Sequence, residues 1–152
     1  MRISRFVLAA TLTLVAACGR DAATPLAAPD EASASSWTRS YWISGLTYTG
    51  SHLNWSLASF AGGYVKVELV PDYSSMGAPY ELGTVPADGD AMSFYKPANN
   101  SLRLTAIPTV AGCTFHGWKF NLSSTSIATQ ANPISMDSYR TYSQARAEFR
   151  CS

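Results

Sequence analysis

Apolar and polar residues alternate in several short segments of this chain, and the alternation predicts strands that bury one face. Apolar residues stand at every second position in Leu102–Ile107, and Val65–Leu69 has the same period. Pro108 and Pro71 follow these segments, where a proline ends a strand because it lacks the N–H that a central strand donates. Ser135–Arg146 is the one stretch whose pattern is compatible with a short helix. The pattern therefore predicts a mainly β domain.

The first part of the domain is rich in aromatic residues and predicts a β-hairpin. Tyr41–Tyr48 combines aromatic and β-branched residues, and Leu53–Leu57 alternates apolar with polar side chains. Thr49–Ser51, which holds a central glycine, is the predicted turn between the two strands. Asp88–Asp90, with its own central glycine, is predicted as a second turn further along the chain.

Cys113–Phe120 is also predicted as a strand, but one of its large side chains breaks the alternation. Trp118 has the opposite parity to Phe115, so a regular strand would place the two rings on opposite faces. Either Trp118 packs on a second layer, or a β-bulge at Gly117 returns its side chain to the core. We favour the bulge, because an isolated glycine inside a strand often marks one.

Four motifs in one order carry a resemblance to a known family. They are LTAIP at 104–108, GCTFHGW at 112–118, NPISM at 132–136 and ARAEF at 145–149. Together they resemble the divergent internalin-type B-repeat of bacterial surface proteins, over about residues 64–149. The resemblance implies a small β-grasp-like domain with an antiparallel or mixed sheet, to which the N-terminal hairpin is an addition. It implies no catalytic residue.

The N-terminus has the features of a lipoprotein signal peptide. Arg2 and Arg5 precede the apolar run Phe6–Ala17, which is too short to span a bilayer. The small residues before Cys18 resemble a lipobox, so residues 1–17 are predicted to be removed and Cys18 to be lipidated. The alternative is ordinary signal cleavage with an incidental Cys18.

This N-terminus predicts an address in the bacterial cell envelope. Gly19 rather than aspartate follows the lipidated cysteine, which favours the outer membrane. Residues 18–36 are rich in Ala, Ser and Pro and have no period that could bury a face, so they are predicted to be a flexible tether. Residues 37–152 then form a single domain, anchored to the membrane through the N-terminal lipid.

The two remaining cysteines predict a disulfide. Cys113 shares the parity of Phe115, and Cys151 shares the parity of Phe149. If both phenylalanines are core residues, both cysteines lie on the inner faces of their strands. With Cys18 lipidated, an oxidising compartment favours a Cys113–Cys151 bond. The alternative is a pair of buried free thiols.

The composition argues against several functions. Removing Arg2 and Arg5 leaves nine Lys and Arg against ten Asp and Glu, so no basic surface for nucleic acid is expected. The two histidines are His52 and His116, and His116 is predicted to have a solvated or hydrogen-bonding role. No positioned nucleophile, phosphate-binding loop or metal-spaced Cys/His pair occurs. No catalytic residue, cofactor or metal site is therefore predicted.

The surplus of aromatic residues is the feature that points to a function. Trp42, Tyr48 and Trp55 are the candidate ligand-binding residues, because exposed rings stack on sugars and anchor protein interfaces. The alternative is that most of these rings fill the core. The predicted function is a non-catalytic envelope module that is structural or binds a protein or polysaccharide. A carbohydrate-binding module is the second hypothesis, and an envelope enzyme or enzyme inhibitor is the third. The enzyme would require a pocket that holds His116 or His52 beside a carboxylate.

Overall fold

The computed structural model describes residues 38–51, 54–120 and 126–152. The predicted signal peptide, Cys18, the tether and His52 lie outside the described residues. Nine strands lie within them: β1 Arg39–Ser51, β2 Asn54–Leu57, β3 Gly63–Pro71, β4 Tyr80–Pro86, β5 Asp88–Lys96, β6 Asn100–Pro108, β7 Cys113–Lys119, β8 Ile134–Ser135 and β9 Gln144–Cys151. Short 3₁₀ helices occupy Ser74–Met76 and Met136–Tyr139. The prediction of a mainly β domain is confirmed.

The strands divide between two sheets. In the first sheet β1 has β5 and then β2 along one edge and β9 along the other, and β7 pairs with β9. The second sheet has the order β4-β3-β6-β8 and is antiparallel throughout. β1 and β9 are parallel. The parallel pairing is possible because the whole second sheet lies between them in sequence, and parallel strands need a long connection.

The core lies between the inner faces of the two sheets and draws on both. The predicted alternation of β3 and β6 is seen directly, since Val65, Val67, Leu102 and Leu104 are fully buried. Each inner face presents every second side chain of its strands, as a half-buried sheet does. Other fully buried apolar side chains are Ile43, Val85, Ala87, Trp118, Met136, Ala145, Ala147 and Phe149.

A β-bulge in β7 resolves the parity of Trp118. Phe115 pairs with Phe149, but the next pair joins Gly117 to Glu148, so β7 has one extra residue at His116. Trp118 is thereby returned to the core, where it is fully buried and its Nε1 donates to the Ala131 carbonyl at 3.0 Å. The predicted bulge is confirmed.

The predicted disulfide is also present. Cys113 and Cys151 face each other directly across β7 and β9, with their Sγ atoms 1.94 Å apart. Both residues are buried on the inner face. Gly62 lies beneath the bond, where an added Cβ would come within 2.9 Å of either sulfur. The bond therefore joins the two C-terminal strands of the first sheet.

Two predicted turns are wrong. Thr49–Ser51 belongs to β1, because this strand pairs with β2 on one edge while β9 extends along the other as far as Thr49. Pairing of all three residues with β2, and of Thr49 with β9 as well, outweighs the local turn preference of Gly50. Asp88–Asp90 belongs to β5, and the chain turns at Ala87 as it passes from the second sheet to the first. The short helix expected within Ser135–Arg146 is present as a 3₁₀ helix.

Candidate functional site

The outer face of the first sheet gathers the polar and aromatic side chains of its strands. β1 and β9 run parallel and in register, with Trp42 beside Gln144 and Tyr48 beside Arg150. Even-numbered residues of both strands therefore project from the same face, while their odd-numbered neighbours fill the core. We call this surface the outer face.

All three aromatic candidates belong to the outer face, but the structure separates them into two groups. Tyr48 and Trp55 lie at one end, since Trp55 pairs with Gly50, which has the parity of Tyr48. Trp42 lies six residues from Tyr48 along β1, which is about 20 Å at roughly 3.3 Å per residue. The predicted site is therefore elongated, and only Tyr48 and Trp55 share a cavity.

That cavity has a volume of about 390 Å³ and lies at the β2–β7 end of the outer face. Ligand pockets of small molecules begin at roughly 300 Å³, so a single small polar group or sugar unit fits this space. Four strands and the segment after β7 supply its lining, which combines rings with charged groups. The lining residues are Tyr48, Trp55, His116, Lys119, Ile127, Glu148 and Arg150.

A buried ion cluster forms one wall of the cavity. Lys119 Nζ lies 2.6 Å from Glu148 Oε1, and Arg146 Nη2 lies 3.6 Å from the same oxygen. The side chains of Lys119 and Glu148 are only 10% and 5% exposed. The bulge brings them together, because the shifted register places Gly117 opposite Glu148 and Lys119 opposite Arg146, on the same face. The carboxylate is thus held by two cations.

Arg150 is the third cation at this end of the outer face. Its guanidinium lies over the Trp55 ring, 4.9 Å from the ring centroid, which is a cation–π contact. Among the described residues, no carboxylate comes within ion-pair distance of Arg150. Sequence reasoning missed this residue. The available signal was the outward parity that it shares with Glu148 and Tyr48.

His116 lies on the cavity wall at the bulge. Burial, and secondly the positive charge of Arg150, hold the pKa of this imidazole below its ordinary value. Glu148 opposes that shift and Lys119 adds to it. His116 is therefore neutral at pH 7. In the described part of the chain, no three His, Cys, Asp or Glu side chains come close enough to hold a metal ion.

A second aromatic patch lies at the other end of the outer face. Tyr95 of β5 pairs with Ser40, and Trp42 pairs with Ser93, so both rings project outward among hydroxyl groups. Trp42 is 51% exposed and Tyr95 is 59% exposed. Tyr95 was not among the predicted residues. The sequence could have indicated it, because Tyr95 follows Phe94 directly and therefore points to the opposite face of the strand from this buried residue.

Comparisons with known proteins assign no relatives to this chain: no family model matches it, and no curated protein and no solved structure does so either. The resemblance to the internalin-type B-repeat therefore stays a prediction. Within residues 38–51, 54–120 and 126–152, no helix has the length and apolar character needed to cross a membrane.

Proposed function

We propose that this chain is a non-catalytic saccharide-binding module of the bacterial cell envelope, anchored by lipid on Cys18. Its ligand would lie across the outer face of the first sheet. The observation that carries the proposal is the exposure of Trp42 and Tyr95 on this face, at the opposite end from Tyr48 and Trp55.

The surroundings of the two exposed rings support a sugar as the ligand. A pyranose ring presents C–H groups on its faces and hydroxyls around its rim, so it needs an aromatic surface beside hydrogen-bonding groups. Trp42 and Tyr95 supply the aromatic surface. Ser40 and Ser93 stand opposite them in the β1–β5 ladder, and Gln144 stands beside Trp42 on β9. Both parts of the requirement are met on adjacent strands.

The same surroundings argue against a protein partner on this face. The buried centre of a protein interface is enriched in aromatic residues and depleted in serine. Here serines separate the rings, so the patch is not a continuous apolar surface. A hydrated ligand that carries hydroxyl groups suits such a patch better than an apolar protein surface does.

The membrane part of the proposal rests on the sequence. The charged n-region, the apolar run and the small residues before Cys18 support export and lipidation. The Cys113–Cys151 bond is consistent with an oxidising compartment outside the cytoplasm. The resemblance to a repeat of bacterial surface proteins agrees with this address.

The arrangement of the cavity supports binding rather than catalysis. A histidine general base is normally oriented by a carboxylate, as in the Ser-His-Asp triad. In the described residues His116 and Glu148 share no hydrogen bond, and Glu148 is instead engaged by Lys119 and Arg146. The carboxylate of the cavity is thus used to neutralise cations.

The test is a titration of the whole chain, purified in detergent, with cell-wall and environmental polysaccharides while tryptophan fluorescence is followed. We expect saturable binding of one glycan, weakened about tenfold by Trp42→Ala or Tyr95→Ala, since an aromatic contact contributes up to about 1.5 kcal/mol. Tyr80→Ala is the matched control, because Tyr80 is 54% exposed but belongs to the second sheet. No response to any glycan, or an equal loss in the control, would refute the proposal.

An envelope enzyme is the second candidate, and one observation favours it. His116 is neutral and lies on the wall of a cavity that also holds Glu148, which is the juxtaposition that an enzyme would need. Incubating the chain with each bound glycan and analysing the products would decide the matter. Turnover that is lost in His116→Gln while binding is kept would replace the binding module with a hydrolase.

A further inference from the structure

We infer that the cavity binds the acid group of an acidic saccharide, with Arg150 as its main contact. This inference rests on the proposed function and specifies its ligand class. A glycan would place a carboxylate-bearing unit in the cavity and lay its following units along the outer face toward Trp42.

The balance of charge in and beside the cavity carries the inference. Three cations, Lys119, Arg146 and Arg150, surround one carboxylate, that of Glu148. Glu148 Oε1 lies close to two of them and leaves the third unpaired among the described residues. A partly enclosed site with surplus positive charge favours an anion, because the low dielectric strengthens the attraction.

The geometry of Arg150 suits a carboxylate in particular. Its guanidinium lies over the Trp55 ring, and among the described residues no carboxylate pairs with an N–H edge of this group. A guanidinium donates two parallel hydrogen bonds to a carboxylate through such an edge. Because Trp55 already orders the side chain, little further conformational freedom is lost when the ligand binds.

The rest of the cavity suits a sugar that carries this acid group. Tyr48 stands beside Arg150 on the neighbouring strand and adds a ring and a phenolic hydroxyl. His116 is neutral and can exchange hydrogen bonds with sugar hydroxyls as donor or acceptor. The volume of about 390 Å³ accommodates one unit. The distance of about 20 Å from Tyr48 to Trp42 leaves room for several more along the face.

The probes are oligosaccharides that differ only in charge. Oligomers of galacturonic, glucuronic and mannuronic acid are each used as the free acid and as the methyl ester, and acetate serves as a carboxylate without a sugar. Binding to the whole chain in detergent is measured by calorimetry. We expect one free acid to bind at least tenfold more tightly than its ester, with an affinity that falls as salt is added.

Three substitutions locate the effect. Arg150→Gln is expected to remove the preference for the acid over the ester. Arg150→Lys is expected to keep part of this preference, because lysine retains the positive charge but lacks the two parallel N–H donors of the guanidinium. Trp42→Ala is expected to weaken acid and ester equally. A preference that survives Arg150→Gln would overturn the assignment of Arg150.

The remaining outcomes separate the inference from the function on which it rests. If an ester binds as tightly as its acid, the saccharide module stands and the acid site is refuted. If acetate binds at Arg150 and no oligomer binds more tightly than acetate, an anion site exists but the proposed saccharide function is wrong. If no probe binds, both are refuted.

Discussion

The outer faces of the two sheets use the same ionic arrangement in different settings. On the second sheet Glu68 is held by Lys66 at 3.2 Å and by Arg103 at 3.0 Å. On the first sheet Glu148 is held in the same way by Lys119 and Arg146. The cations of the second sheet are 31% and 39% exposed, whereas Lys119 is 10% exposed and lines a cavity. A glutamate between two cations is therefore not by itself the mark of a site. Burial and the additional cation Arg150 distinguish the first sheet.

The largest expected effect comes from removing the central carboxylate of each cluster. Glu148→Gln leaves buried Lys119 and half-buried Arg146 without a counter-charge, which costs about 3 to 5 kcal/mol of unfolding free energy. Glu68→Gln breaks a solvated network and costs at most about 1 kcal/mol. Urea denaturation of the two variants beside the wild type measures both values.

A double variant checks the cause of that difference. Replacing Lys119 by Met together with Glu148 by Leu removes most of the cluster's charge, so most of the lost stability should return. If the double variant is no more stable than Glu148→Gln, the cost lies in side-chain packing. If Glu148→Gln and Glu68→Gln lose the same amount of unfolding free energy, the two outer faces do not differ in this respect.

The disulfide gives the first sheet a second property that the described strands of the other sheet lack. Replacing Cys113 and Cys151 by alanine is expected to cost about 2 to 5 kcal/mol, because the bond restricts the unfolded chain. Thermal unfolding with and without reductant measures it. The wild type should lose stability on reduction, and the double variant should not respond. A wild type that is insensitive to reductant while its thiols become titratable would show that the bond adds no stability.

Alternation along the chain was enough to predict much of the fold. It identified the buried faces of β3 and β6, and the shared parity of Cys113 and Cys151 with two phenylalanines predicted the disulfide correctly. Parity is a property of residues two positions apart, and the disulfide prediction also used the two cysteines that remain after Cys18. Propensity failed at Thr49–Ser51, where pairing of all three residues with β2 overrides the turn.

The candidate site was less predictable because it depends on pairing across long separations. Lys119 meets Glu148 only because β7 lies beside β9 in the register that the bulge sets. Arg150 meets Trp55 only because β9 runs parallel to β1 and β2 pairs with the end of β1. The aromatic candidates were chosen by residue type, and the partners that give them a chemistry lie about a hundred residues away.

The smallest expected effect concerns pH. Glu68 on the second sheet and His116 on the first change the free energy of unfolding over different pH ranges. The Arg103 hydrogen bond holds the pKa of Glu68 below its ordinary 4.5, so the stability from this group is present above pH 4.5 and is lost below it. The pKa of His116 is held below its ordinary 6.5, mainly by burial. Below pH 6.5 the unfolded chain therefore binds protons that the folded chain does not, and the free energy of unfolding falls as the pH falls.

His116→Gln should consequently lose less stability than the wild type between pH 7.5 and 5, and Glu68→Gln should differ from the wild type only at lower pH. Thermal unfolding across this range measures both, with His52→Gln as the control for the other histidine of the chain.

Because an acid group bound at Arg150 would favour protonated His116, the acidic oligomer should bind more tightly as the pH falls toward 5. If the free energy of unfolding of His116→Gln depends on pH as that of the wild type does, the imidazole has the same pKa in the folded and the unfolded chain. The cavity at His116 would then be more open to solvent than the ion cluster beneath it.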